Sequence, residues 1–260
     1  MLSWRESVPA VRTCAVQGLP PSTNVTCMAP RCFALIPAAG AGIRAGAAVP
    51  KQYVPLNGEP MLVHTIRAFV RCPAIATVRV ILAPDDAWGD SADAATIRAE
   101  AGARLLFDRV GGATRSQSVV NGLRVLASMA LADDWVLVHD AARPCISARM
   151  IADLVAELAD DSIGGLLAVP VPDTLKRADA AGRVATTIAR DGVWMAQTPQ
   201  MFRLGLLNSA YMTAKHVTDE AGAVEAAGFA PRLCVGSARN LKVTYPQDFE
   251  LASRFLRHPG

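Results

Sequence analysis

From Cys32 onward, short β-type runs alternate with stretches of helical spacing, and this alternation restricts the possible folds more than any other feature of the chain. Strands are predicted at Cys32–Ile36, Val78–Ala83, Arg104–Phe107, Trp135–His139, Gly165–Val169 and Arg232–Val235. Helices are predicted at Pro60–Arg71, Arg115–Met129, Ala148–Leu158, Leu204–Ala214, Asp219–Ala227 and Gln247–Arg257. Within Arg115–Met129, helical spacing puts Val119, Leu123 and Leu126 on one face, and Ala130 continues it. Such a rhythm predicts an α/β fold, a mostly parallel sheet with helices on both faces. Composition agrees, because 52% apolar and only 5% aromatic residues make an aliphatic core of the kind parallel strands bury. No repeat or low-complexity linker divides residues 32–260, so they read as one domain. Residues 1–31 carry Pro9, Pro20, Pro21 and Pro30 with little periodicity, and read as a poorly ordered extension with Met28 as an alternative start.

One stretch breaks the rhythm. Residues 170–194, PVPDTLKRADAAGRVATTIARDGVW, carry turn signals at Asp179–Gly182 and Asp191–Gly192 between β-prone runs. They predict a β-hairpin, either a specialised arm or an ordinary surface loop.

Several function classes drop out. A net charge of +3 with scattered Lys and Arg gives no nucleic-acid surface. The six cysteines and four histidines show no C-x-x-C or H-x-x-x-H spacing, so neither a zinc site nor a disulfide framework is predicted. Reduced thiols fit the cytoplasm. No run reaches the ~18 apolar residues of a membrane span, and the first residues lack the apolar region of a signal peptide.

The segment ALIPAAGAGIRAGAAVPKQY (34–53) places Gly40, Gly42 and Gly46 just after the first strand, with Arg44 and Lys51 among them. GAGIRA satisfies the dinucleotide pattern G-x-G-x-x-A, but Pro50 interrupts the helix that pattern requires. The acidic residue expected about 20 positions on is also missing, since Glu59 lies in a turn. No G-K-[ST] follows for a Walker loop. A glycine turn whose amides form an anion nest, flanked by two cations, suits a triphosphate, and a plain turn with two solvated charges is the other reading. Further on, GGATRSQSVVNGL (111–123) is a second glycine turn feeding a helix, with Ser116 and Ser118 at its start. WVLVHDAARPCI (135–146) sets Asp140 at the carboxyl end of a strand, where open parallel sheets bind ligands, with Arg143 three residues on. AQTPQMF (196–202), TDEAGAVE (218–225) and NLKVTYPQDF (240–249) add polar groups at element boundaries.

Taken in order, P-A-A-G-x-G-x-R, P-K-Q-Y, G-G-x-x-R-x-x-S-V, V-L-V-H-D-A-A-R-P, D-T-x-K-R, W-x-A-Q-T-P-Q, T-D-E-A and N-x-K-V-T-x-P-x-D resemble the 2-C-methyl-D-erythritol 4-phosphate cytidylyltransferases. The resemblance covers nearly all of the chain from Cys32. It implies a Rossmann-like nucleotidyltransferase fold, transfer of a cytidylyl group from CTP to methylerythritol phosphate in isoprenoid precursor synthesis, Mg²⁺ dependence, and a homodimer whose arms embrace the partner. The hairpin at 170–194 matches that arm. Carried over by position, Ala38, Ala39, Gly40 and Gly42 line the nucleotide, and Gly112, Ala113 and Ser118 read cytosine. Arg44 and Lys51 hold the triphosphate. Asp140, Thr198, Thr218 and Lys242 meet methylerythritol phosphate and the reacting phosphates. Arg143, Thr174 and Arg190 contact substrate at the dimer junction. For orienting Mg²⁺ or a substrate hydroxyl, Asp140 is the first choice and Asp248 the second. Ala113 replaces a side chain that is often polar in similar enzymes, which leaves only backbone contact to the base. A chain ending at 260 leaves no room for the fused cyclodiphosphate synthase of some relatives. Rival readings are a cytidylyltransferase for another polyol phosphate such as ribitol 5-phosphate, a dinucleotide-dependent reductase, and a non-enzymatic nucleotide-binding module.

Overall fold

The computed structural model describes residues 12–13, 26–27, 29–40, 49–214 and 217–258. The extension before Pro30 falls almost wholly outside them, apart from a two-residue antiparallel pairing of Arg12–Thr13 with Thr26–Cys27. Nine longer strands are β1 Cys32–Pro37, β2 Ile75–Ile81, β3 Leu105–Asp108, β4 Trp135–Val138, β5 Gly164–Pro170, β6 Leu175–Ala178, β7 Val184–Ile188, β8 Trp194–Arg203 and β9 Arg232–Val235. The helices are α1 Met61–Val70, α2 Ala92–Ala101, α3 Arg115–Ala127, α4 Ala148–Leu158, α5 Leu204–Thr213, α6 Glu220–Ala226 and α7 Pro246–Arg257.

Seven strands form one sheet in the order β9-β5-β8-β4-β1-β2-β3. Neighbours pair in parallel except β8, which runs antiparallel to both β4 and β5. The period of two along β1 shows why the sheet is covered on both sides. Cys32, Ala34 and Ile36 join one apolar cluster with α1, α2 and α4, whereas Phe33 and Leu35 join the other with α3, α5 and α6. A third, smaller cluster seats α7 through Ala252 against Leu56, Met61, Ala142 and Val243.

Two elements depart from the sequence reading. Helix α2 is absent from it because this alanine-rich segment buries only Ala94, Ile97 and Ala101, too few to show a periodic face. Strand β8 is absent because Gln197, Thr198, Pro199 and Gln200 interrupt its apolar run. The ladder with β5 is irregular between Ala196 and Gln200, which absorbs the proline. The predicted hairpin is present as β6 and β7, paired from Leu175↔Ile188 to Ala178↔Val184, and its last residue, Trp194, already belongs to β8.

Gly111 controls how closely the β3–α3 loop approaches the end of β1. A Cβ there would lie 2.3 Å from Ala39 Cβ and 2.7 Å from the Leu82 carbonyl oxygen. Gly111→Ala is therefore expected to cost about 1–3 kcal/mol of stability. Chemical denaturation should show a lower midpoint at an unchanged slope.

Candidate active site

Ligands of open α/β sheets sit beyond the carboxyl ends of the strands, and here the ends of β1, β3 and β4 open onto one cavity of about 660 Å³. Its wall includes Ala38, Ala39 and Gly40 after β1, Lys51, the segment Gly112–Arg115 with Ser118, Asp140, and Lys242. Buried Gln52 fixes the first glycine turn by donating to the Ala38 carbonyl at 2.7 Å and the Gly40 carbonyl at 3.0 Å. Gly42 and Arg44 lie outside the described residues. Lys51 Nζ donates to the Val243 carbonyl at 2.8 Å, which ties the first turn to the segment carrying Lys242.

The second turn is shaped by its own hydroxyls. Thr114 caps α3 by accepting from the Gln117 amide at 3.1 Å. Ser118 is buried; its Oγ accepts from the Gly112 amide and lies 3.0 Å from the Thr114 carbonyl, to which it donates. Ser118 thus holds the turn in shape, while Ala113 is exposed at the cavity with backbone groups alone to offer polar contact.

A smaller cavity of about 190 Å³ adjoins the first and shares Arg115, Asp140 and Lys242 with it. Arg143, Thr198, Thr218, Gln197 and Gln200 belong to its wall. Asp140 stands at the junction. Arg115 Nε donates to its Oδ1 at 2.7 Å, Lys242 Nζ lies 2.7 Å from Oδ2, and Arg143 Nε is 4.0 Å away. Burial works against ionisation of this carboxyl, but Arg115 and Lys242 outweigh it and hold its pKa well below the usual range. Arg143 is held in turn by the carbonyls of Asn240, at 2.7 Å, and Ala196, at 3.3 Å.

Behind the junction, His139 is fully buried and packs against Phe69. Its Nε2 lies 3.2 Å from the Arg143 carbonyl, which can only accept, so Nε2 carries the proton and Nδ1 accepts from the Thr198 hydroxyl at 3.0 Å. Thr198 Oγ1 accepts from the Asp140 amide at 3.1 Å. The Thr198 proton is therefore directed at His139, not into the cavity. Burial pushes the His139 pKa down to about 3, against the opposing pull of Asp140. In the unfolded chain this group titrates at about 6.5. Its stabilising contribution is complete above that pH and is lost as pH falls through 6.5 toward 3, where the unfolded chain binds the extra proton. Between about pH 6.5 and 4, stability should fall by at most about 1.4 kcal/mol per pH unit from this group. Urea midpoints across that range should fall more steeply for the wild type than for His139→Gln.

The remaining expected residues lie elsewhere. Asp248 lines neither cavity. Its Oδ2 accepts from the amides of Thr244 and Tyr245, both at 2.8 Å, so it caps α7 instead of facing the cavity that Asp140 lines. Thr174 and Arg190 are exposed on the hairpin and also line neither cavity, with Arg190 bonded to the Pro172 carbonyl. Sequence reasoning passed over Arg115 as a helix start and Glu220 as part of a helix boundary. The only signal available was their presence inside the quoted motifs, since they meet across 105 residues.

A family model for 2-C-methyl-D-erythritol 4-phosphate cytidylyltransferase matches residues 32–258. A protein of that name from Dechloromonas aromatica is 57% identical over 228 residues, 88% of this chain and 98% of its own. Another from Paraburkholderia phytofirmans is 52% identical over 241 residues, 90% of this chain and 99% of its own. Among solved structures, a 4-diphosphocytidyl-2C-methyl-D-erythritol synthase superposes with a TM-score of 0.77 at 39% identity, covering 87% of this chain and 99% of its own. A 2-C-methyl-D-erythritol 4-phosphate cytidylyltransferase from Thermus thermophilus gives 0.68 at 31% identity, covering 86% and 98%.

Proposed function

The chain belongs to the 2-C-methyl-D-erythritol 4-phosphate cytidylyltransferase family, and from that premise we propose that the larger cavity takes CTP and the smaller one 2-C-methyl-D-erythritol 4-phosphate. The reaction joins them into 4-diphosphocytidyl-2-C-methyl-D-erythritol and releases pyrophosphate, a step of non-mevalonate isoprenoid precursor synthesis. The observation that carries this assignment is the pair of cavities meeting at one charged junction of Arg115, Asp140 and Lys242.

The acceptor brings its own nucleophile. A phosphate monoester has a second pKa of ~6 and is a dianion near neutral pH. One of its oxygens forms a bond to the α-phosphorus of CTP as the bond to the pyrophosphate oxygen breaks, and no protein base removes a proton. Neutral, buried His139 is consistent with that. What the protein must do is hold two anions together and stabilise the charge on the phosphoryl oxygens. Lys242 faces both cavities and serves both, Lys51 and Arg44 serve the triphosphate, and Arg143 and Thr218 serve the acceptor.

The donor set fits Mg²⁺ carried on the triphosphate. Among the described residues, Asp140 is the one carboxylate in the wall of the larger cavity, and no cluster of three or more potential ligands exists. Mg²⁺ is commonly bound by one or two carboxylates together with substrate phosphates. Asp140 would hold it there, and the ion would supply neutralising charge.

The hairpin belongs to a homodimer. A lone two-stranded hairpin is marginal in water, yet this one stands exposed, including Val184 at 65%. Thr174 and Arg190, which line neither cavity of their own chain, complete the partner's acceptor site. The protein works in the cytoplasm, in keeping with free Cys32, Cys72, Cys145 and Cys234. No described helix is long and apolar enough to cross a membrane.

Pyrophosphate release from CTP tests the reaction. It should require methylerythritol phosphate, and equal turnover with ribitol 5-phosphate would reassign the acceptor.

A further inference from the structure

The T-D-E-A segment contributes Thr218 to the smaller cavity, but its most deeply buried polar residue is Glu220, the first residue of α6, at 0% exposure. The Glu220 carboxylate accepts from both terminal nitrogens of Arg115, at 2.8 and 3.1 Å, and from the Tyr211 hydroxyl at 2.9 Å. The third nitrogen of the same guanidinium, Nε, donates to Asp140 at 2.7 Å. A planar, rigid group is thus gripped along one edge by Glu220 and aimed along another at the junction carboxylate.

A buried ion pair is weak evidence for stability, because apolar side chains of similar volume often stabilise as well or better. What an apolar pair lacks is direction. Burial works to lower the Arg115 pKa, but Glu220 and Asp140 keep it well above its ordinary value, so the guanidinium stays charged.

We propose that Glu220 is a positioning residue for cytidylyl transfer, acting through Arg115 to hold the Asp140 carboxylate in the orientation the reacting phosphates require. The proposal rests on the cytidylyltransferase reading of the junction. Its rival is electrostatic, and the two predict opposite kinetics. Three cations, Arg115, Arg143 and Lys242, meet two carboxylates, Asp140 and Glu220. Glu220→Gln makes the junction more positive. If net charge governs, the variant should bind anionic substrates more tightly and keep its turnover. If orientation governs, kcat should fall by about 10- to 100-fold, the scale of a small misplacement of reacting groups. KM for CTP and for the acceptor should not rise.

The experiment is steady-state pyrophosphate release by full-length wild type, Glu220→Gln, Arg115→Lys and the double variant, with folding checked by thermal melting. Because Glu220 acts only through Arg115, adding Glu220→Gln to Arg115→Lys should cause little further loss of kcat. Losses that multiply, or a folded Glu220→Gln with wild-type kcat, overturn the proposal. Should Glu220→Gln not fold, Tyr211→Phe removes one hydrogen bond from the carboxylate without altering charge. It should lower kcat with KM unmoved, and an unchanged kcat counts against the role of Glu220. A wild-type protein that releases no pyrophosphate removes the cytidylyltransferase reading and this proposal with it. An active wild type beside an unimpaired Glu220→Gln removes the positioning role alone.

Discussion

Lys242→Ala is expected to lower kcat/KM by about 10²–10³-fold, the scale of losing one donor aimed at developing charge. Lys242 shares with Arg115 and Asp140 the distinction of lining both cavities, and its ammonium lies 2.7 Å from Asp140. On the proposed assignment of the two cavities, that is where the attacking phosphate and the triphosphate would meet. Stability should hardly change. The side chain is 42% exposed, and partly solvated ion pairs contribute at most about 1 kcal/mol. Asp140 also keeps Arg115 as a partner. Lys242→Arg is a useful companion, because it keeps the charge but replaces a compact ammonium with a planar fork. Steady-state kinetics and a melting curve on each variant check the expectation. A Lys242→Ala enzyme with near-normal kcat/KM would remove this residue from the mechanism.

The contrast between Lys242 and Arg115 shows what the sequence reveals and what it conceals. The parallel part of the fold was legible because β1, β4 and β5 are continuous apolar runs and α1, α3 and α4 bury regular faces. Asp140 was legible because it follows such a run directly, at the end of a strand where ligands bind. Strand β8 was hidden because buried polar side chains interrupt its apolar run, and sequence periodicity does not report the partners they find elsewhere in the chain. Gln200, for example, accepts from the Ala221 amide and donates to Asp219. The same cause hid the Arg115–Glu220 pair. Each residue opens a helix, a position where charged residues are ordinarily solvated or act on the helix end, and only the packing of α5 against both α3 and α6 brings them together. Asp248 shows the opposite case, a carboxylate within a quoted motif that accepts from two backbone amides and caps a helix.

Mixing two inactive variants should restore activity if the hairpin serves the partner's site. Arg190 lies on the hairpin and lines neither cavity of its own chain, while Lys242 lines both. Arg190→Ala and Lys242→Ala should each be folded and dimeric, and each should be nearly inactive. In a mixed dimer, one site combines the intact Lys242 of the Arg190→Ala chain with the intact Arg190 of the other chain, and the second site lacks both. Random pairing from equal co-expression makes about half of the dimers mixed, so roughly a quarter of all sites should recover, as twofold symmetry requires. If both residues instead served the site of a single chain, every site in the mixture would lack one of them. The mixture would then be no more active than the two preparations measured apart, and the exchange of arms would be ruled out. An Arg190→Ala enzyme that is fully active alone would exclude the arginine itself. Recovery near a quarter of wild-type activity, appearing only when the chains are expressed together or unfolded and refolded together, is the outcome that joins the hairpin of one protomer to the cavities of the other.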